Sequence, residues 1–374
     1  MEQDIVRIAQ DAIMTYYSTD DPENKAYALA VNAQVSDEAR RIHKESTIID
    51  MCSFYLEADN WHLRESGVTA LNLTVPGVFD GMEQALSNMI YHYEVIKNSP
   101  NLFALMERPD DIRNAKKAGK IGVIIGAQSC RFIEHADLES ACEVFAKVGL
   151  RVMQIGYNMR TFAADGCLSG TDAPLSREGK VLIKAMEKAG ITVDLSHIGA
   201  RSSLDAIEAC EKPPIFSHSN PLELFKHPRN ITAEQAKKCA AKGGVIGVCS
   251  YVPILWDEKH HPSIENFVDA ISYYADLVGI DHVGIGIDSN AEPAAYDRHD
   301  TRHLMQLVSP NREVYLAGAE AGLGKRCAFP EGLYSLANIV NIVEHMLKRG
   351  FGEADVKKVM GENFLRVFDQ TWRK

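Results

Sequence analysis

Ile191-Thr192-Val193-Asp194-Leu195-Ser196-His197 is followed about twenty residues later by Pro214-Ile215-Phe216-Ser217-His218-Ser219. Each segment is a short apolar run that ends in Ser-His. Between them, Arg201 to Cys210 has helical spacing. The stretch therefore reads as strand, helix, strand, with the two strands side by side and parallel. A lone histidine at such a place is ordinarily a satisfied core or rim residue. Two imidazoles at the carboxyl ends of neighbouring buried strands can reach a single ion, and an α/β barrel mounts its metal ligands in this way.

The same rhythm extends in both directions. Apolar, β-branched runs predict strands at Thr47–Asp50, Val68–Leu73, Ile121–Gly126, Leu150–Ile155, Ile191–Leu195, Pro214–Ser217, Gly244–Cys249 and His282–Ile287. Helical spacing marks Gly81–Lys97, Leu138–Lys147, Arg177–Lys188, Arg201–Cys210, Ala233–Ala241 and Ile264–Leu277. Gly149, Gly190, Gly243 and Gly279 stand where helices must end before returning to the sheet. Strands that are apolar throughout are buried on both faces, as in a parallel sheet covered by helices. Eight such units point to a (β/α)8 TIM-like barrel rather than an open sheet. No GxGxxG follows the first strand, which argues against dinucleotide binding. The expected organisation is one barrel domain over residues 1–374, with a helical N-terminal extension to about residue 45 and closing helices over about 331–374. Within the extension, Asp4–Tyr17 reads as a helix and the remainder as a polar connector. Residues 290–330 read as a long loop over the barrel mouth.

Composition narrows the partners. With 46% hydrophobic and 24% charged residues, the chain has an ordinary globular balance. A net charge of −11, with no basic patch interleaved with aromatics, argues against nucleic acid or an anionic membrane as partner. No apolar run approaches the roughly 18 residues of a membrane span. The opening Met1-Glu2-Gln3-Asp4 has neither a basic nor an apolar leader region, so no secretory leader is expected. The eight cysteines form no CxxC pair, which fits a reduced, cytoplasmic setting.

Polar residues gather where the strands end: Asp50, Cys52, Asn72, Thr74, Gln128, Tyr157, Asn158, His197, His218, Ser250, Tyr251 and Asp288. Barrel enzymes build their sites on that face. His197 and His218 are the metal candidates, as neutral imidazoles suited to zinc. Asp288, closing Gly284-Ile285-Gly286-Ile287-Asp288, suits a ligand or a general acid/base. Arg229, in His227-Pro228-Arg229-Asn230, stands one short loop beyond His218, where its fork could grip a substrate carboxylate. His260-His261 lies in a polar loop with side chains pointing apart. His43, His62, His92 and His135 have no fellow metal ligand at useful sequence spacing. Ser196, Ser217 and Ser219 find no nucleophile–base–orienter set, and no GxSxG or P-loop is present.

At these residues the chain resembles the membrane (renal) dipeptidase family of zinc peptidases, among the amidohydrolase-like, metallo-dependent hydrolase barrels. The resemblance runs through Ile48-Ile49-Asp50, Ser66-Gly67-Val68-Thr69-Ala70, Asp194-Leu195-Ser196-His197, Ser217-His218-Ser219, His227-Pro228-Arg229-Asn230 and Gly243-Gly244-Val245-Ile246-Gly247. It continues over Gly279 to Asp288 and ends at Gly361-Glu362-Asn363-Phe364-Leu365-Arg366-Val367. It implies a barrel that hydrolyses dipeptides at a zinc pair, commonly as a homodimer. By that pattern His197 and His218 bind one zinc, Arg229 and Asn230 hold the substrate's carboxylate end, and Asp288 handles proton transfer.

The sequence departs from the pattern on one side of the site. The family's first strand ends in Asp-Gly-His-x-Asp, whereas here the run is Asp50-Met51-Cys52-Ser53-Phe54. Gln128 stands at the position of the Glu that bridges both metals, and Tyr157 at that of a substrate-contacting His. A neutral amide bridges two cations poorly, because it brings no charge and one good donor oxygen. The expectation is therefore one zinc per chain rather than two, on His197 and His218, with Cys52, Gln128, Asp288 or water as further ligands. A single zinc with its water still suffices for hydrolysis. The substrate would be a dipeptide or a small amide bearing a carboxylate, with Tyr157 at the substrate. Two other readings stay open: a peptidase-inactive barrel that serves as a binding protein, and a redirected lyase or modified-amide hydrolase.

Overall fold

The computed structural model describes residues 22–54, 56, 58, 61–288 and 329–372, with single positions 313, 317 and 321. The helix expected over Asp4–Tyr17 lies outside these residues, and so does almost all of the 290–330 segment. Among the described residues are nine strands: β1 Ile49–Ser53, β2 Ala70–Thr74, β3 Phe103–Leu105, β4 Ile121–Ala127, β5 Leu150–Gln154, β6 Thr192–Asp194, β7 Ile215–Phe216, β8 Val245–Val248 and β9 Val283–Ile285. Eight of them hydrogen-bond in the order β1-β2-β4-β5-β6-β7-β8-β9, and every pairing is parallel. Each successive strand therefore lies beside the last, as the alternation of strand and helix requires. The ends meet: the amide of Asp288 donates to the Cys52 carbonyl at 3.1 Å, and that of Ile287 to Asp50 Oδ1 at 2.7 Å. The result is a nearly closed parallel barrel.

All eight expected strands are present, with ends shifted by at most three residues. β3 is an addition. Since β2 takes one edge of β4, β3 and β5 share the other: Phe103 pairs with Ile121 and Leu150 with Ile125. The inner faces pack as one apolar core, with Ile124, Val152, Ile215 and Val245 fully buried. The helix Arg177–Ala189 shows how the units are punctuated, because Gly190 takes a left-handed φ of 83° to end it before β6.

The expected polar connector is instead helical, over α1 (Pro22–Ala33) and α2 (Asp37–Glu45). Ser36 caps α2 by accepting from the Ala39 amide and donates to Glu344 Oε2 at 2.5 Å. Asn32 Nδ2 donates to the Ala337 carbonyl. Ala39 and Ile42 are the buried residues of α2, and so sparse an apolar stripe explains why its period is hard to read.

Two glycines set the position of the His218 segment. A Cβ on Gly247 would lie 2.0 Å from the Ser217 carbonyl oxygen, and one on Gly286 2.1 Å from the same atom. Without side chains there, the end of β7 lies close against β8 and the end of β9, with His218 next in the chain.

His43 on α2 makes acid stability measurable. Burial holds its imidazole down at about 4, with Nε2 on the Ser66 carbonyl at 2.9 Å. The unfolded chain takes up this proton near 6.5 and the folded chain only near 4, so stability present at neutral pH is lost as pH falls through that window. His43→Gln should flatten this part of a denaturation-versus-pH curve by up to about 1.4 kcal/mol per pH unit. Equal slopes for the two proteins would refute the assignment.

Candidate metal centre

Asp194, which ends β6, organises both histidine segments. Its Oδ1 accepts the amides of Ser196 and Ser217, each at 3.0 Å. Its Oδ2 accepts the Ser217 hydroxyl at 2.5 Å and Gln154 Nε2 at 3.1 Å. The Ser217 hydroxyl spends its proton on Asp194, so at its 2.6 Å contact with His218 Nδ1 it must accept. Nδ1 of His218 therefore carries the ring proton. His197 is fixed in the same way, with Nδ1 2.7 Å from the amide oxygen of Asn158. Both Nε2 atoms are left as bare acceptors, and they face each other at 3.0 Å. Two lone pairs at that distance repel unless a cation lies between them. Bonds of 2.0–2.1 Å at a tetrahedral angle place two zinc-bound nitrogens about 3.3 Å apart, so the pair fits one ion after a small adjustment. Burial, and next the charge of Arg229, push both imidazoles well below their usual range and keep them in the neutral, ligating form.

The backbone here is strained. Asn158, His197 and Asp288 have φ of 52°, 69° and 56°, in the left-handed region that residues other than glycine seldom enter. Tyr157 stacks on His197 with ring centres 4.1 Å apart, and Phe79 packs edge-on against Tyr157.

On the opposite side, Asp288 follows β9. Its Oδ1 accepts from Cys52 Sγ at 3.2 Å, and Cys249 Sγ lies 3.7 Å from its Oδ2. Gln128 Nε2 donates to Cys52 Sγ at 3.2 Å and to Thr74 Oγ1 at 3.1 Å. Donor atoms of Cys52, His218 and Asp288 all lie within 4.8 Å of one another, so His218 is common to this set and to the imidazole pair. Burial pushes the Asp288 carboxyl upward, and burial followed by the Asp288 charge pushes the Cys52 thiol up strongly.

Arg229 is 6% exposed and forms no ion pair with any described residue. Its guanidinium donates to Ser219 Oγ at 2.9 Å and to the His218 carbonyl at 2.8 Å. Asn230 spends its Nδ2 on the carbonyls of Phe225 and Ile254, both at 2.8 Å, which pins the loop carrying Arg229. The barrel thus brings together His197, His218, Asp288, Cys52, Gln128 and Tyr157, with Arg229 held against His218. His260 and His261 do not converge, since one contacts Asp257 and the other the Phe329 carbonyl. The support from Asp194 and the clamp from Asn158 escape a reading by motif. The signal for Asp194 was its place two residues before Ser196, within reach of both loop amides.

Asp194→Asn tests the support. An amide nitrogen at the Oδ2 position would donate to Ser217, whose own proton would turn to His218 Nδ1 and drive the imidazole toward its Nε2–H form. Zinc affinity should fall by about 10–100-fold, the usual effect of removing a partner behind a ligand, with the fold retained by circular dichroism. The shift should be visible in the ring-nitrogen resonances of the metal-free protein. Unchanged affinity and resonances would refute it.

The family model described as membrane dipeptidase (Peptidase family M19) matches residues 8–309 and 315–373. Dipeptidase tcpJ of Claviceps purpurea is 25% identical over 268 residues, 70% of this chain and 54% of that protein. Dipeptidase ataJ of Aspergillus terreus is 26% identical over 311 residues, 77% of this chain and 67% of that protein. The match thus spans about half of the Claviceps protein. Among solved structures, an amidohydrolase from Pseudomonas aeruginosa superposes with a TM-score of 0.77 at 30% identity, over 89% of this chain and 99% of that one. A metallopeptidase from Rhodobacter sphaeroides, liganded with a phosphinate mimic of L-Ala-D-Ala, shares the fold with a TM-score of 0.71 at 16% identity, over 87% and 99% of the two chains. No helix among the described residues is long and apolar enough to cross a membrane. With the family model covering nearly its whole length, the chain belongs to the membrane dipeptidase family, peptidase family M19.

Proposed function

We propose that this protein is a metal-dependent hydrolase that cleaves a dipeptide, or a small amide bearing a carboxylate, at a centre holding one zinc ion. The observation that carries the reading is the pair of bare, convergent Nε2 atoms of His197 and His218, each fixed from behind at Nδ1. Zinc held there supplies Lewis acidity and lowers the pKa of its water. Asp288, whose burial favours proton uptake, accepts the proton of the attacking water and returns it to the leaving amine. Arg229 binds the substrate carboxylate: a buried guanidinium without an acidic partner among the described residues is costly until an anion fills its field. Asn230, expected at the carboxylate end, acts from behind instead: its Nδ2 is spent on two backbone carbonyls, so it steadies the loop that carries Arg229. Tyr157, flat on His197, walls the site and orders the substrate beside the ion.

Cys52 and Gln128 support a second reading, a redirected hydrolase or lyase, because a thiol meets Asp288 and a neutral amide meets that thiol where a second cation would need anionic oxygens. Metal analysis of protein purified without chelator, paired with a dipeptide panel, separates the cases. One zinc per chain with dipeptide turnover is expected. Two zinc ions would overturn the single-ion centre. One zinc without dipeptide turnover would favour a redirected hydrolase or lyase, and no metal would favour a binding barrel.

A further inference from the structure

A buried cysteine is ordinarily a small apolar core residue. Cys239 is of that kind, fully buried with its sulfur on the Pro214 carbonyl at 3.5 Å. Cys52 differs. It is 1% exposed at the end of β1, and its sulfur meets a carboxylate oxygen at 3.2 Å and an amide nitrogen at 3.2 Å, with the His218 imidazole inside the same 4.8 Å cluster. A thiol with polar neighbours on three sides makes poor use of a core position and is well placed as a ligand.

Gln128 gives an independent sign. It is 4% exposed, and its Oε1 finds no hydrogen-bond partner among the described residues while its Nε2 is spent on Cys52 and Thr74. An orphaned buried amide oxygen carries its full desolvation penalty, which is unusual unless something else occupies the site. Its N–H on a thiol sulfur is a weak contact. On a thiolate it becomes a charge-assisted bond, of the kind that tunes a metal-bound sulfur.

We propose that Cys52 ligates the metal as a thiolate beside His218, so that the centre is a mixed sulfur–imidazole site selecting a thiophilic divalent ion. The inference rests on the reading of His197 and His218 as metal ligands and adds the sulfur to it. On binding, the Cys52 S–H bond breaks and a sulfur–metal bond forms. The proton passes to Asp288 Oδ1, already in contact with the thiol, and from there to solvent. Cys249 lies 3.7 Å from the other Asp288 oxygen and keeps the carboxylate aligned without ligating. Sulfur with imidazole suits Zn2+, Co2+ or Cd2+, and discriminates against Mg2+, Ca2+ and Mn2+, which prefer oxygen.

The test is a titration of the metal-free full-length chain with Co2+ alone, followed by absorption. The wild type should develop visible d–d bands together with an intense near-ultraviolet thiolate-to-cobalt charge-transfer band, both saturating at one equivalent. Cys52→Ser should keep the d–d bands and lose the charge-transfer band, release one proton fewer per metal, and lose at least about tenfold in Cd2+ affinity. Cys249→Ser should keep the band. Should Cys52→Ser fail to fold, X-ray absorption of the zinc-loaded wild type should report one sulfur at about 2.3 Å. Cobalt bound without the charge-transfer band, a band that survives Cys52→Ser, or a zinc shell without sulfur would overturn thiolate ligation and leave the imidazole centre standing. Failure to bind cobalt at all would overturn both.

Discussion

His218→Ala is expected to abolish metal binding at micromolar zinc. Its imidazole is shared by the His197 pair and the Cys52–Asp288 set, so no other ligand substitution disables both arrangements at once. Removing a partner behind a ligand commonly costs 10–100-fold in affinity, and removing the ligand itself should exceed that. The Ser217 hydroxyl would keep its bond to Asp194, and the His218 backbone carbonyl would still receive Arg229, so the loop has the means to hold its course. Competition against a chelating indicator, with thermal unfolding as a control for the cavity, measures the effect. Zinc affinity within a few-fold of the wild type would remove His218 from the centre.

Arg229→Ala is expected to lower kcat/KM by about 2–5 kcal/mol, the range for truncating one partner of a buried charge pair, while leaving zinc in place. Two of its N–H groups are committed to Ser219 and the His218 carbonyl, which holds the guanidinium in place beside His218 and leaves it further donors for a substrate carboxylate. Arg229→Lys should recover only part of the loss, because a point charge cannot hold two acceptors and also present a fork. Metal lost together with activity would make Arg229 a brace for His218. No change in either would remove it from the site.

The barrel is legible because its strands are buried on both faces, and short apolar runs such as Ile121–Ala127 announce themselves against polar helix surfaces. β3 escapes for the same physical reason in reverse: three residues, two of them half-buried, carry no period. The imidazoles and Asp288 were legible because chemistry-bearing residues at strand ends are few. Asn158 was visible there too, yet its task depends on a loop turn that lets Oδ1 face His197 Nδ1, and no sequence spacing encodes that. Cys249 looked like the last residue of an apolar strand. Only the course of β9 between β8 and β1 places it and Cys52 on the two oxygens of one carboxylate.

The left-handed backbone at Asn158, His197 and Asp288 sets durability against activity. At each position glycine would relieve conformational cost, and at each it would delete the side chain that the proposed chemistry uses. Selection for thermal endurance alone would therefore drift toward an inert barrel. A search for hardier variants of this protein should hold these three positions fixed and look for its gains in the outer helices, where added order takes nothing from the centre.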